Sequence, residues 1–198
     1  MKVYKSLGRS RTKQGKDSPP ANDGSSKRIQ RSAHRSFESE LMKIILDTNI
    51  YDCLESDSTT RALVKAMVET GRVTVIATRT IAEELLKSPF EGIPNFFKTE
   101  YKGNTVSRCG IMCAGDSLGS GEVFDAHLGK SRKVNDALVA DVASWNADWI
   151  VSEDQRLRKR LCNLNVRCIP MSYDEFRTRL REKDSMADNQ RLDLKAGK

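Results

Sequence analysis

Four carboxylates in this chain sit where an α/β protein gathers its chemistry. Asp47 stands one residue past the apolar run Lys43-Ile44-Ile45-Leu46, and Asp154 just past a run that ends near Ser152. In an open α/β sheet, ligands bind outside the carboxyl ends of the strands, so acids that close two separate strands point at one edge. A loop acid that merely solvates a turn explains either one alone, but explains the pair less well. Glu83 and Glu84 lie on a helix whose buried stripe is defined by Ile81 and Leu85. At about 100° per residue, Glu84 falls about 80° from the centre of that stripe and Glu83 about 180°. Glu84 can therefore look along the sheet edge, while Glu83 faces water. Asp136 opens the helical stretch "DALVADVASW", where the helix dipole favours an anion. Asp141 lies about 140° round from it, so the two cannot share a site, and Asp141 is expected to be an ion-pair or solvent residue. Asn135 either caps this helix or orients a neighbouring carboxylate.

Four carboxylates at one edge repel, and some stay protonated unless a cation is present. A hard divalent ion, Mg²⁺ or Mn²⁺, resolves this with oxygen ligands only and several retained waters. Its natural chemistry is hydrolysis of a phosphodiester. Such a site needs no histidine, which suits a chain whose only histidines are His34 and His127. A histidine-based zinc site or a Ser-His-Asp triad is hard to assemble from those two.

The charge balance restricts the partners. Over 198 residues the formal net charge is +7, but residues 1–41 carry ten Lys/Arg against four Asp/Glu, a net of +6. Residues 42–198 carry twenty-four against twenty-three, a net of +1, so the folded part is not a generally basic binder. No run approaches the ~18 apolar residues of a membrane span, and the basic N-terminus lacks the apolar core of a signal peptide. The five cysteines, at 53, 109, 113, 162 and 168, form no C-x-x-C pair. They read as reduced cytosolic thiols packed as small apolar residues, which places the protein in the cytoplasm.

These acids must be positioned by an alternation of strands and helices. Residues 1–41 are rich in Lys, Arg, Ser, Gly and Pro and cannot bury enough surface to offset their ordering, so a disordered basic extension is expected. Residues 184–198 read as a second disordered tail, leaving one domain over 42–183. Strands are expected at 43–46, 72–78, 148–152 and 166–170, with a third in chain order within "TVSRCGIMCA" (105–114). Helices are expected over 59–70, 79–87 with Thr78 as cap, 133–146 and 155–162. The box S-x-x-E in "SYDEF" opens a last helix with Phe176 and Leu180 on one face. β-Branched strands alternating with helices imply a parallel sheet covered on both faces, hence a three-layer α/β/α architecture of about five strands.

Four stretches, "LDTNI" (46–50), "TIAEEL" (80–85), "NDALVADVA" (135–143) and "ADWIVSED" (147–154), occur in the order and context seen in PIN domains. Over about residues 42–180 the chain resembles this family of metal-dependent ribonucleases, which includes the VapC toxins of bacterial toxin–antitoxin pairs. The resemblance implies a parallel five-stranded sheet between helices and a catalytic Mg²⁺ or Mn²⁺ site. Asp47 matches the family's first metal-binding acid, with Asn49 its supporting polar residue. Glu84, Asp136 and Asp154 match the remaining acids, and Ser152 stands where the last motif usually has threonine. An RNA substrate, a small antitoxin protein and a homodimer are the partners that family precedent suggests.

The stretch 90–130 departs from the helical hairpin that many such toxins carry. Its segment "AGDSLGSGEVFDAHLG" (114–129) reads as a loop and helix at the rim of the site, with Asp116, Glu122 and Asp125 as solvated loop acids or competing ligands. Arg156, Arg158, Lys159 and Arg160 follow Asp154, and Lys130, Arg132 and Lys133 precede Asp136. Cations flanking the acids admit a phosphate backbone, although a helix with a solvated basic face has the same composition. A haloacid-dehalogenase-type phosphatase would need a second acid where Asn49 stands, and a dinucleotide fold would need a Gly-rich turn where "DTNIYD" stands. A PIN-like module without catalysis and a housekeeping RNA-processing nuclease are the remaining alternatives. Because "MKIILDTNIY" is where such a domain would normally begin, Met42 is the expected functional start and 1–41 an upstream extension.

Overall fold

A computed structural model describes residues 41–196 apart from 129–132 and 165, with side chains as far as residue 186. The expectation of disorder for 1–41 therefore falls, Leu41 aside, outside the described residues. Ile44, Ile45 and Leu46 are consecutive and wholly buried. Successive strand residues point to opposite faces, so this run can be buried only in a sheet covered on both sides. Burial of side chains of this size contributes roughly 1.5–3 kcal/mol each.

Twelve elements follow from such patterns among the described residues. In chain order they are β1 (Met42–Leu46), α1 (Thr48–Ser56), α2 (Ser58–Glu69), β2 (Val73–Thr78), α3 (Arg79–Leu86) and β3 (Thr99–Lys102). After these come α4 (Glu122–Leu128), α5 (Val134–Asn146), β4 (Trp149–Val151), α6 (Gln155–Asn163), β5 (Ile169–Met171) and α7 (Tyr173–Ala196). The strands form one sheet in the order β3-β2-β1-β4-β5, with every pairing parallel. Five parallel strands flanked by seven helices make the expected three-layer α/β/α fold. The chain winds outward from β1 through β2 and β3, then returns to the other side of β1 with β4 and β5. The gap between β1 and β4 is thus the topological switch point. The register pairs Leu46 with Val151, so Asp47 and Ser152 leave the sheet side by side.

Local chemistry explains most boundaries. The Thr78 hydroxyl accepts from the Ile81 N–H (3.2 Å) and caps α3. Ser172 and Glu175 exchange bonds as a capping box at the start of α7, through Ser172 N to Glu175 Oε2 (2.8 Å) and Glu175 N to Ser172 Oγ (3.3 Å). Ala137, Ala140 and Ala143 of α5 are wholly buried, which lets this helix pack closely.

Several expectations are corrected. The third strand is not within 105–114 but is the four-residue β3, half-exposed "TEYK" at the sheet edge. An edge strand needs no apolar run, and short charged edges resist further pairing; Lys102 and Glu100 pair at 2.7 Å along it. The last strand is β5, starting at Ile169 rather than Val166, with Pro170 tolerated because β5 is also an edge. Helix α1, unforeseen, buries Ile50, Tyr51 and Leu54. The C-terminal helix runs through Ala196 rather than giving way to a disordered tail at 184. No glycine or proline interrupts 173–196, and Arg, Glu, Lys and Ala sustain a helix. All five thiols are free, but only Cys168 is buried, and Cys109, Cys113 and Cys162 are exposed rather than packed. Among the described residues, no helix is long and apolar enough to cross a membrane.

Candidate active site

Asp47 both ends β1 and opens α1. Its backbone N–H still bonds the Val151 carbonyl (2.9 Å), completing the ladder with β4. Its Oδ1 accepts from Thr48 N (2.9 Å), and its Oδ2 accepts from Ser152 Oγ (2.6 Å) and Asn49 Nδ2 (3.1 Å). Ser152 Oγ in turn accepts from Asp154 N (3.0 Å), and Asn49 Oδ1 from Glu153 N (3.3 Å). Ser152 and Asn49 thereby stitch the ends of β1 and β4 together around one carboxylate. Desolvation raises the Asp47 carboxyl above its ordinary value of 3.8. Bonds from Ser152 and Thr48 oppose the rise, and the charges of Glu84 and Asp136 add to it.

Glu84 reaches this edge from α3, as the helical geometry requires. Thr48 Oγ1 donates to its Oε2 (2.6 Å) and Asn135 Nδ2 to its Oε1 (2.7 Å). Glu83 is exposed, 3.8 Å from Arg79 Nε. Of the two roles open to Asn135, orientation of a carboxylate is the one seen. The residue at the N-cap of α5 is Lys133, which makes no side-chain capping bond.

Lys133 binds the remaining two acids. Its Nζ lies 3.1 Å from Asp154 Oδ2 and 3.3 Å from Asp136 Oδ2. The bond to Asp154 and the charge of Asp136 raise the ammonium's pKa. Asp154 also caps α6, accepting from Arg156 N (2.7 Å) and Leu157 N (3.3 Å). Burial works to raise the Asp154 carboxyl, but the bonds from Lys133 and these two N–H groups outweigh it and hold the pKa below the usual 3.8.

The other candidates separate by environment. Arg158 donates to the Ser152 carbonyl and braces the turn between β4 and α6, while Arg156 and Lys159 are exposed. Arg160 contacts His127, and Lys130 and Arg132 lie outside the described residues. Asp116 is not a solvated loop acid: its side chain is wholly buried and paired with Arg79 at 3.0 Å. It also accepts from Asn104 N and Cys113 N, both at 2.8 Å. Gly103 packs so tightly on this loop that a Cβ there would lie 2.4 Å from the Gly115 carbonyl oxygen. Asp141 is likewise neither an ion-pair nor a solvent residue. Wholly buried, it accepts from Thr105 Oγ1 (2.5 Å) and Phe124 N (3.1 Å), tying the 103–121 loop and α4 to α5. Glu122 is exposed, and Asp125 pairs with Arg108 at 2.5 Å. His127, which residue type alone did not single out, is buried beside the site; its spacing from Phe124 on α4 was the available signal.

A recess of about 700 Å³ lies elsewhere, between the α1–α2 junction and α7. Within it Asp57 accepts from Tyr173 Oη (3.2 Å) and pairs with Arg177 (3.6 Å). The sheet edge is the better candidate because its acids are mutually repelling.

The acids at that edge carry oxygen donors, the type a hard divalent cation takes, and Asp47 is raised in part by its acidic neighbours. Among the described residues, no group of three or more His, Cys, Asp or Glu side chains is gathered closely enough to hold a metal ion as it stands. The ammonium of Lys133 supplies the positive charge between two of the acids. Fold and site together define an α/β protein with an acid-lined switch point. No family model matches the chain, and no curated protein matches it either.

Proposed function

We propose that this chain is a PIN-like, metal-dependent ribonuclease that hydrolyses RNA phosphodiester bonds. One observation supports the reading: Asp47, Glu84, Asp136 and Asp154 come from four separate elements toward the carboxyl edge of the sheet, where Ser152 bonds Asp47, Thr48 and Asn135 bond Glu84, and Lys133 pairs with Asp136 and Asp154. Those four carboxylates are the residues that would hold Mg²⁺ or Mn²⁺. A divalent ion held by them would supply charge to offset the phosphate and to acidify a water. The chain's own residues do the rest. Ser152 and Asn49 fix the Asp47 carboxylate, Thr48 and Asn135 fix Glu84, and the basic residues of α6 attract the backbone toward an acidic centre.

The test is cleavage of RNA by the purified chain in Mg²⁺ or Mn²⁺ against EDTA. Asp47→Asn and Asp136→Asn should each lower the rate on the order of a hundredfold or more. Activity that persists in EDTA, or in both variants, rules the mechanism out. The narrower toxin reading adds a homodimer and a small antitoxin whose segment covers the acidic edge; an inhibitor encoded by the adjacent reading frame is its test. A second reading, a non-catalytic binding module, is favoured by the Lys133 ammonium standing between Asp136 and Asp154. Metal-independent RNA binding without cleavage would select it.

A further inference from the structure

We propose that Lys133 is a tethered cation that holds Asp136 and Asp154 in place of the divalent ion and releases them when that ion binds. The inference rests on the ribonuclease reading and concerns how the metal site of that reading is regulated. Lys133 Nζ lies 3.1 Å from Asp154 Oδ2 and 3.3 Å from Asp136 Oδ2. One ammonium thus does for two acids of different elements what a shared metal ion would do, offsetting both charges at once.

Local preference does not explain a lysine at this position. Lys133 is the N-cap of α5 and makes no side-chain capping bond. An N-cap favours Ser, Thr, Asp or Asn, whose side-chain oxygens accept from the first N–H groups of the helix. The positive end of the helix dipole also disfavours a cation there. The chain therefore sets a charge against its own helix, and the interaction that offsets this conflict is with the two acids. Conflicts between local preference and the fold belong to functional positions more than to packing.

The three partners are unequally fixed. Asp154 Oδ1 caps α6 through Arg156 N and Leu157 N, while Oδ2 faces Lys133. Asp136 lies in the first turn of α5. The Lys133 side chain is 59% exposed, against 24% for Asp154 and 26% for Asp136. Ion pairs this open to water contribute little and are screened by salt. A divalent ion carries twice the charge of the ammonium, so the long lysine side chain gives way while the helix-bound acids stay. The charge of Asp136 also reaches Asp47, so the acids under Lys133 share their field with the rest of the edge.

The experiment titrates the full chain with Mn²⁺ in the absence of RNA and reads the free ion by electron paramagnetic resonance. Lys133→Gln removes the charge and should bind Mn²⁺ about tenfold more tightly than wild type. Lys133→Arg keeps the charge and should bind no more tightly than wild type. Arg156→Gln, which removes an exposed cation beside Asp154, should change the affinity by less than about twofold. Unchanged affinity in Lys133→Gln would make Lys133 only a clasp between helices, and an equal gain in Arg156→Gln only part of a general field; either overturns the inference. In the wild type, the ¹³C signal of the Lys133 ε-carbon, assigned by its loss in Lys133→Arg, should shift as Mg²⁺ saturates the chain. A signal indifferent to saturating Mg²⁺ overturns the inference, and this measurement decides if circular dichroism shows Lys133→Gln unfolded. Equal Mn²⁺ binding by wild type and Lys133→Gln, with RNA still cleaved, defeats this inference alone. If neither chain binds the ion, the metal-dependent reading fails with it.

Discussion

Asp116 and Asp141, set against Asp47, Glu84, Asp136 and Asp154, are the same functional group in opposite circumstances. The first two are wholly enclosed and bonded to donors: Arg79, Asn104 N and Cys113 N around Asp116, and Thr105 Oγ1 and Phe124 N around Asp141. They build the 103–128 region onto the domain. The other four share the edge of the sheet, where Asp47 feels the charges of both Glu84 and Asp136. A buried acid surrounded by donors stabilises the fold, whereas acids that share an edge are stabilised by a cation. The difference lies in what each carboxylate faces rather than in how deeply it is buried.

The sharpest way to break this comparison is Asp141→Leu, which strands the Thr105 hydroxyl and the Phe124 N–H. Urea unfolding should show a loss of about 3 kcal/mol; a loss below about 1 kcal/mol would mean that Asp141 does not organise the region. Asp116→Ala removes the buried carboxylate from Arg79, only 16% exposed, and leaves it the exposed Glu83 at 3.8 Å. That variant should lose about 2 kcal/mol, and hydrogen exchange should quicken first at Asn104 and Cys113. Protection at those two amides equal to the wild type would contradict the stapling role.

Asp154 belongs to both groups, since it caps a helix and shares the edge. Asp154→Ala should cost about 1 kcal/mol, and Asp154→Asn much less because asparagine also caps; equal losses would show that charge, not capping, is what Asp154 contributes. Its folded pKa lies below 3.8. Its contribution is therefore present above that value and lost as pH falls through the folded pKa.

Asp47 has the opposite sign and the smallest expected effect. Its folded pKa lies above 3.8, so the folded state holds that proton more tightly than the unfolded chain. The associated stability is full below 3.8 and lost as pH rises through the folded value. Stability curves of Asp47→Asn and wild type should thus diverge in the variant's favour as pH rises toward neutrality. Parallel curves would mean that Asp47 carries no strain and does not belong with the repelling acids.

Much of this was legible before any coordinates. Ile44-Ile45-Leu46 announces a doubly covered strand because three consecutive buried residues admit no other sheet. Glu84 is separable from Glu83 because the angle between helix neighbours is a local property. Asp47 and Asp154 follow apolar strands, and a parallel sheet puts strand ends on one edge. Local pattern said less about β3, whose edge position excuses it from being apolar, or about α1, whose start coincides with the site itself.

What the sequence by itself determined is the alternation of strands and helices and which acids leave the sheet at its carboxyl edge, because both depend on spacings of a few residues. The tertiary structure alone decided which acids are enclosed and which repel. Asp116 meets Arg79 across thirty-seven residues and Asp141 meets Thr105 across thirty-six, and His127 finds Arg160 across thirty-three. No local periodicity encodes such pairings, since they arise only when separate helices pack on a common sheet.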